Sequence, residues 1–338
     1  MTADVSVDFD AERLGWRSFF EDQLTDDERA ADWHAARVCR GQARRCHVWS
    51  ARGTHPLAVA LFGEAGLPAV GDWVLLDPTQ TQRPRRLERF SALTRQAPGS
   101  RFADQVLAAN VDTLLIVTAC NEDFSAERIE RYLVLAAGAG VTPVVVLTKA
   151  DLTDNASSYV EATQALSDNL RVECLDVRDV EKLKVIEDLC GPGQTVAALG
   201  SSGVGKSTLV NGISDADQRI GAVRGDDNKG KHTTTSRSLH RLQAGGVIVD
   251  LPGIRELQLA ECAGGIEEAF AQVTAVAQGC RFRNCGHDGE PGCAVAQALE
   301  AGTLESRQWE SYRKLQTEQA VYAKQKAEQV KRQNRRRR

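Results

Sequence analysis

GSSGVGKS, at residues 200–207, is a complete phosphate-binding loop pattern, G-x-x-x-x-G-K-[ST]. An apolar segment at 195–199 precedes it and a helical segment at 207–212 follows, which is the strand–loop–helix context that the pattern requires. The glycines let successive backbone N–H groups turn toward an anion, and the helix start adds partial positive charge. The nucleotide-binding residues predicted here are Gly200, Ser201, Ser202, Gly203, Val204, Gly205, Lys206, Ser207 and Thr208.

Two further segments supply groups for a metal-bound nucleotide. An apolar run at 247–250 ends in Asp-Leu-Pro-Gly, where Asp250 can hold Mg²⁺ and the Gly253 N–H can donate to the γ-phosphate. Between this run and the loop lies Gly-Lys-His-Thr-Thr-Thr, residues 230–235, a polar segment in which a threonine can complete the metal coordination. We predict Ser207, Thr234 and Asp250 as the Mg²⁺ ligands.

The base is predicted to be guanine. Thr148, Lys149, Ala150 and Asp151 directly follow an apolar run at 144–147. A carboxylate at Asp151 can accept from both N1–H and the 2-amino group of guanine, a donor pair that adenine lacks, while the Lys149 stem can lie along the base. The common pattern is N-K-x-D, and Thr148 stands here for the Asn, which keeps a donor and an acceptor but loses the amide geometry.

The order of these motifs is unusual. In an ordinary GTPase the phosphate loop comes first and the base motif comes near the end, whereas here the base motif at 148 precedes the loop at 200. A parallel sheet tolerates such an order if the former termini lay close together and were joined. The G domain then ends just after Gly253, so the next domain is tethered directly to the γ-phosphate contact.

In this order the chain resembles the circularly permuted GTPases, and among them the RsgA/YjeQ family of GTPases that depend on the small ribosomal subunit. The resemblance spans about residues 33–320. It departs from the family pattern at Thr148 and after Val172, where Cys174-Leu175-Asp176 stands in place of a base loop of the form S-A-[KL]. The segments that carry it are 71–74 (Gly-Asp-Trp-Val), 148–151, 200–208, 232–235, 250–253 and 280–293.

The resemblance implies a multidomain α/β fold, and the pattern along the chain agrees with it. Short runs separated by turn residues between 33 and 95 favour a small β-barrel of the OB type, and strands alternating with helices from 110 favour a parallel sheet. We predict an acidic extension at 1–32, an OB-fold domain at 33–97, a circularly permuted P-loop GTPase domain at 98–257, a C-terminal helical zinc-binding domain at 258–322 and a basic tail at 323–338.

A metal site is predicted near the C-terminus. Cys280, Cys285, His287 and Cys293 supply three thiolates and one imidazole, the donor set of a closed structural zinc site, in a stretch rich in glycine. Nine cysteines in a chain with no signal-peptide pattern do not read as a disulfide framework. The resemblance supports one structural zinc ion at this spacing.

The hydrolytic step lacks its most common helper residue. Ile254 follows Gly253, where a catalytic Gln often stands, and an apolar side chain cannot orient water. We predict His232 as the group that orients or deprotonates the water, with Lys206 and Thr234 as the other catalytic residues. The same absence predicts slow intrinsic turnover that rises when a partner orders the loop.

Charge distribution indicates a polyanionic partner. The net charge is −4, yet residues 324–338 hold eight basic residues and one acid, which is typical of a tail that contacts nucleic acid, or of a solvated one. We expect a cytoplasmic monomer that binds GTP and GDP and the small ribosomal subunit with its rRNA, and no membrane. Two alternatives stay open: a P-loop ATPase, and a zinc-dependent RNA-binding protein with a vestigial nucleotide site.

Overall fold

The computed structural model describes residues 9–41, 44–65, 67–79, 81–97, 104–215, 237–253 and 257–336. Five strands after the N-terminal segment lie in the order β3-β2-β1-β4-β5, the order of a partly open Greek-key barrel of the OB type. A separate hairpin, β6 with β7, follows them. The bounds are β1 His34–Gly41, β2 Arg45–Ser50, β3 Gly53–Ala58, β4 Trp73–Leu76, β5 Arg85–Arg86, β6 Ala92–Gln96 and β7 Asp104–Ala109.

The second unit is a mainly parallel sheet in the order β10-β9-β8-β11-β13-β12, in which only β12 runs antiparallel. Every residue of β8 and β11 is buried, as expected for strands covered on both faces. The strands are β8 Thr113–Ala119, β9 Thr142–Thr148, β10 Arg171–Cys174, β11 Thr195–Gly200, β12 Ser238–Arg241 and β13 Val247–Asp250, and the helices among them are α3 Ala126–Gly138, α4 Ala156–Gln164, α5 Val180–Glu187 and α6 Lys206–Ile213.

The two units share one sheet. Arg40 of β1 pairs antiparallel with Ser238 of β12, so the barrel strands continue the parallel sheet and give eleven strands in all. Arg37, also on β1, is fully buried, and burial lowers its pKa to about 9. Its guanidinium donates to the carbonyls of Leu14, Gly71 and Asn110 and to the Thr195 hydroxyl at 2.8 Å. One side chain therefore fastens the N-terminal segment, the barrel and the parallel sheet together.

The N-terminal segment packs into this core. Two short helices, α1 Ser18–Glu21 and α2 Asp26–Ala30, bring the fully buried Phe20 against Trp73, with ring centroids 6.0 Å apart. Arg17 forms a bidentate pair with Asp112 beside β8. Much of the segment predicted as an acidic extension is thus part of the fold.

The C-terminal region is helical, with α7 Ala263–Ala269, α8 Ala271–Gln278, α9 Ala294–Glu300 and α10 Ser306–Arg336. Helix α7 packs closely across α3, since a Cβ at Gly265 would lie only 2.6 Å from the Val134 carbonyl oxygen. Helix α10 crosses α3 and the segment that follows β13: Glu130 accepts from Arg307 and Ser311, and Gln319 contacts Ala260.

Two segments depart from a regular strand or helix. β3 ends at Ala58, and residues Val59–Ala65 form a 3₁₀ helix interrupted at Gly63, where glycine adopts a positive φ of 59°. Residues 263–278 form two helices, α7 and α8, that meet at Phe270. In the described part of the chain, no helix combines the length and apolar character needed to cross a bilayer.

Candidate functional site

The predicted nucleotide-binding residues lie at one edge of the parallel sheet, where the carboxyl ends of the strands meet. The phosphate loop follows β11, Asp250 ends β13, and Thr148 ends β9. Ligands of open α/β sheets bind at this edge. The motifs far apart in sequence are therefore brought to one place despite their permuted order.

The phosphate loop has the backbone shape of an anion-binding nest. Gly203 and Gly205 have φ values of 84° and 92°, a region that residues with side chains rarely adopt. Helix α6 begins at Lys206, so its unpaired first N–H groups and its partial positive charge face the loop. Ser207 and Thr208 are exposed at this helix start, where a phosphate-bound metal can reach a hydroxyl.

Lys206 and Asp250 are in direct contact. The Lys206 ammonium is almost fully buried and forms an ion pair with the Asp250 carboxylate. Ser207 and Asp250 offer hydroxyl and carboxylate oxygens, the ligand type that Mg²⁺ prefers, so the described residues fit this ion. Lys206 has a predicted partner in the phosphates, and Asp250 has a predicted partner in Mg²⁺. Binding of the metal-bound nucleotide would therefore replace this ion pair with those two contacts.

Gly253 lies against the phosphate loop. A Cβ placed there would be 3.1 Å from the backbone nitrogen of Ser202. The segment after β13 is thus close enough for its N–H groups and those of the loop to contact the same phosphate. This arrangement fits the predicted role of Gly253 as a sensor of the γ-phosphate.

The base motif is hydrogen-bonded to the phosphate loop through Thr148. Thr148 is fully buried, and its hydroxyl lies within hydrogen-bond distance of the carbonyl oxygens of Val204 and Thr118. Lys149 adopts a left-handed backbone conformation with φ of 58°, which starts the 3₁₀ turn Ala150–Leu152 carrying Asp151. Thr148 therefore contacts the loop backbone, while Lys149 is half-buried and Asp151 is exposed on the turn that follows.

Sequence reasoning missed a polar cluster beside the phosphate loop. Ser201 is buried, its hydroxyl donates to the Asp123 carboxylate, and Arg128 of α3 donates to the Ser201 Oγ at 3.2 Å and to Asp123 at 3.0 Å. A signal was available, because Asp123 closely follows a buried strand at the ligand-binding edge. The cluster fixes the second residue of the loop.

A second missed residue touches the base motif. Arg178, in the loop after β10, donates from Nη2 to the Asp151 carboxylate at 2.6 Å and also pairs with Asp176. Its charge and hydrogen bonds lower the pKa of the Asp176 carboxyl to about 2. No periodicity or motif in the sequence points to Arg178.

The predicted zinc ligands come together. One ligand atom from each of Cys280, Cys285, His287 and Cys293 lies within 4.8 Å of the others. The His287 Nδ1 is 3.5 Å from the Sγ atoms of Cys280 and Cys293, and its ring packs edge-on against Trp309 of α10 at 5.3 Å. Three sulfurs and one ring nitrogen at one point are the donor set of a structural zinc site.

Several predicted residues fall outside the described part of the chain. His232 and Thr234, predicted for catalysis and Mg²⁺ binding, lie between 216 and 236, and Ile254 lies in 254–256. Their roles stay predictions. The described residues thus supply the phosphate loop, Asp250, Gly253 and the base motif.

Comparison with known proteins gives one consistent family. The profile described as RsgA GTPase matches residues 86–260. The Vibrio vulnificus protein named small ribosomal subunit biogenesis GTPase RsgA 2 is 47% identical over 321 residues, covering 94% of this chain and 90% of its own. A Mesorhizobium japonicum protein named small ribosomal subunit biogenesis GTPase RsgA is 46% identical over 309 residues, covering 90% of this chain and 88% of its own.

Solved structures agree on the fold. YjeQ from Thermotoga maritima superimposes with a TM-score of 0.60 at 24% identity, covering 85% of this chain and 99% of that chain. YloQ, described as a circularly permuted GTPase, gives a TM-score of 0.57 at 22% identity, covering 86% and 96%. At these identities the likeness concerns the fold, and it accounts for the permuted motif order.

Proposed function

Because the chain belongs to the RsgA GTPase family and is therefore a GTPase, we propose that it acts on the small ribosomal subunit during biogenesis of that subunit. The names of its relatives say this of those proteins. The observation that carries the enzymatic part is the meeting of the phosphate loop, Asp250 and the base motif at one sheet edge. We expect the GTP-bound form to dock on the subunit in the last stages of its maturation, and hydrolysis to release it.

The residues around the phosphates have distinct tasks in hydrolysis. The loop N–H groups and Lys206 neutralise the phosphates, and Gly253 positions the γ-phosphate against the loop. Mg²⁺, held by Ser207 and Asp250 with Thr234, would offset charge on the β- and γ-phosphates. Water attacks the γ-phosphorus in line, the bond to the bridging β-γ oxygen breaks with its electron pair staying on GDP, and the proton that the water loses passes to the released phosphate or to solvent.

Base selection is assigned to Asp151. Its carboxylate accepts from N1–H and the 2-amino group of guanine, and Thr148 holds the motif against the phosphate loop rather than facing the base. Adenine has no such pair of donors. This favours GTP and GDP over their adenine counterparts and argues against the ATPase alternative.

We also infer that Cys280, Cys285, His287 and Cys293 hold one structural zinc ion. The ion would join the loop at 280–293 into one unit with α9 and α10, since Cys293 caps α9 and His287 packs on Trp309. The exposed Arg281 and Arg283 lie in this unit. This unit thus exposes positive charge next to helices α9 and α10.

The RNA contact is proposed for three basic regions. These are the zinc unit, the far end of α10 with the basic tail, and the exposed side chains Arg40, Arg44 and Arg45 at the β1–β2 end of the barrel. Phosphate contacts of this kind weaken steeply as salt rises. We propose that the protein acts in the cytoplasm, as a monomer on one subunit.

The test is GTP turnover with and without purified small subunits. We expect at least a tenfold increase, about 1.4 kcal/mol of transition-state stabilisation, with no increase from large subunits. Unchanged turnover in the presence of small subunits would refute the proposed partner. Turnover of ATP at the rate of GTP would favour the ATPase, and no turnover under any condition would favour a vestigial nucleotide site.

A further inference from the structure

Arg178 bridges two carboxylates at the edge of the base motif. Its Nη2 donates to the Oδ2 of Asp151 at 2.6 Å, and its Nε and Nη2 donate to the two oxygens of Asp176 at 2.9 Å each. The Arg178 backbone N–H also donates to Asp176 at 3.0 Å. Asp176 and Arg178 therefore form a small closed unit to which Asp151 is attached by one oxygen.

The orientation of the Asp151 carboxylate matters because guanine donates to both of its oxygens. One oxygen must meet N1–H and the other the 2-amino group, so the carboxylate plane must coincide with the base plane. Asp151 lies on a short 3₁₀ turn at the surface, and a carboxylate there that has no fixed partner rotates readily. A donor fixed to Oδ2 restricts that rotation and still leaves the oxygen a second lone pair.

The unit also offsets a repulsion. Asp176 stands close enough to share a guanidinium with Asp151, and two unpaired carboxylates so near would oppose each other's ionised form. Arg178 lowers the pKa of Asp176 to about 2, and both acids raise the pKa of Arg178. Asp176 and Arg178 thus stay charged through the neutral range, and their pairing persists there.

We propose that Arg178 is a specificity-determining positioning residue, which orients the Asp151 carboxylate toward the N1–H and 2-amino group of guanine. In this chain the Asp176–Arg178 unit occupies the place where the resemblance leads one to expect an S-A-[KL] loop. The inference deepens the proposed function, since it rests on Asp151 as the residue that reads the base.

The decisive comparison is GDP against inosine diphosphate, which lacks only the 2-amino group. Arg178→Met keeps the side-chain stem and removes the guanidinium. We expect it to raise the Kd of GDP about fivefold, the scale of an exposed ion pair, and to change the Kd of inosine diphosphate less than twofold. Arg178→Lys, with one compact charge that cannot bridge both acids in the same way, should lie between.

A matched control is available on the adjacent strand. Arg171 pairs with Glu173 at 2.8 Å on β10 and makes no contact with Asp151 in the described structure, so Arg171→Met should leave both Kd values unchanged. Equal changes for the two nucleotides in Arg178→Met would mean a structural role, and unchanged values would mean a surface ion pair only. Either result overturns the proposal.

The Asp151→Ala background separates this inference from the base assignment. There, Arg178→Met should no longer alter the ratio of the two Kd values, because the oriented group is gone. A ratio that still changes would mean that Arg178 contacts the base directly and would overturn the positioning role. If Asp151→Ala alone leaves the ratio unchanged, the base assignment itself fails. These are binding measurements, so the outcome with ribosomal subunits does not affect them.

Discussion

At the scale of single residues, Thr148 shows how a departure from a motif is accommodated. Its hydroxyl lies within hydrogen-bond distance of the Val204 carbonyl in the phosphate loop, and the side chain is fully buried. Its task is thus to tie the base motif to the loop, while Asp151 stands on the exposed turn beyond it. We therefore assign loop shape and base choice to different side chains.

Thr148→Val should weaken nucleotide binding without changing base preference. Valine matches the shape of threonine but leaves the buried Val204 carbonyl with one donor fewer, a loss of about 1 kcal/mol. We expect the Kd of GDP to rise about fivefold, with the ratio of the GDP and ADP Kd values unchanged. Thr163→Val is the matched control, because Thr163 is equally buried and its hydroxyl bonds within α4. A changed ratio would contradict the separation of roles.

Ser207→Ala should abolish Mg²⁺-dependent turnover while leaving the fold intact. Ser207 is exposed at the start of α6, so the loss of its hydroxyl removes the proposed metal ligand rather than a packing contact. We expect kcat to fall at least hundredfold, about 2.7 kcal/mol, with an unchanged circular dichroism spectrum. Ser157→Ala, at an exposed position on α4, serves as control. A normal kcat in the Ser207 variant would remove this residue from the site.

At the scale of elements, α10 is one of the helices that join the C-terminal region to the G domain. It runs for 31 residues, Ser306–Arg336. Trp309 packs on His287 of the proposed zinc unit, while Arg131 of α3 forms a bidentate pair with Glu318 further along the helix. The proposed zinc unit and helix α3, which flanks the parallel sheet, therefore contact the same helix.

Removal of metal should loosen this element and leave nucleotide binding in place. We expect one zinc per chain by elemental analysis, its loss in Cys285→Ala, and a lower melting temperature for that variant and for protein treated with a chelator. Cys262 lies outside the cluster, so Cys262→Ala should retain the metal. Purified protein that holds no zinc, with the same melting temperature before and after chelation, would contradict the assignment.

Motifs could be predicted from the sequence, whereas contacts between distant segments could not. The phosphate loop, the Asp250 strand and the parallel sheet were predictable because continuous apolar runs and a long glycine pattern are local signals. Arg37, Arg128 and Arg178 were not, because each bridges segments brought together only by the fold, and a single arginine has no periodicity. The break at Phe270 between α7 and α8 was also unpredictable, because no proline or glycine stands there to indicate a helix end.

At the scale of the whole molecule, two connections reach the segments around the γ-phosphate. On one side β1 of the barrel pairs with β12, next to the strand that ends at Asp250. On the other, Arg131 donates to the Leu257 carbonyl at 3.1 Å while it holds Glu318 of α10. An RNA bound to the barrel or to the C-terminal region could therefore bias the same nucleotide site.

Glu318→Gln tests the second connection. It keeps the shape of the side chain and removes the charge that pairs with Arg131. We expect stimulation by small subunits to fall at least threefold, with intrinsic turnover within twofold of the parent. Glu310→Gln, at an exposed position on the same helix, controls for the loss of one charge. Full stimulation in the Glu318 variant would assign the transmission to the β1–β12 pairing instead.

The joined sheet also has a consequence for how the protein forms during its own synthesis. β8, β9 and β10 emerge first and can pair with one another, but the far edge of β8 waits for β11, which begins 21 residues after Cys174. At ~5–20 residues per second that is a delay on the order of 1–4 s. The contact between Arg40 and Ser238 spans about 200 residues and comes later still. The half of the pocket that we propose to read the base can thus form before the half that we propose to hold the phosphates, the reverse of the order in an unpermuted GTPase.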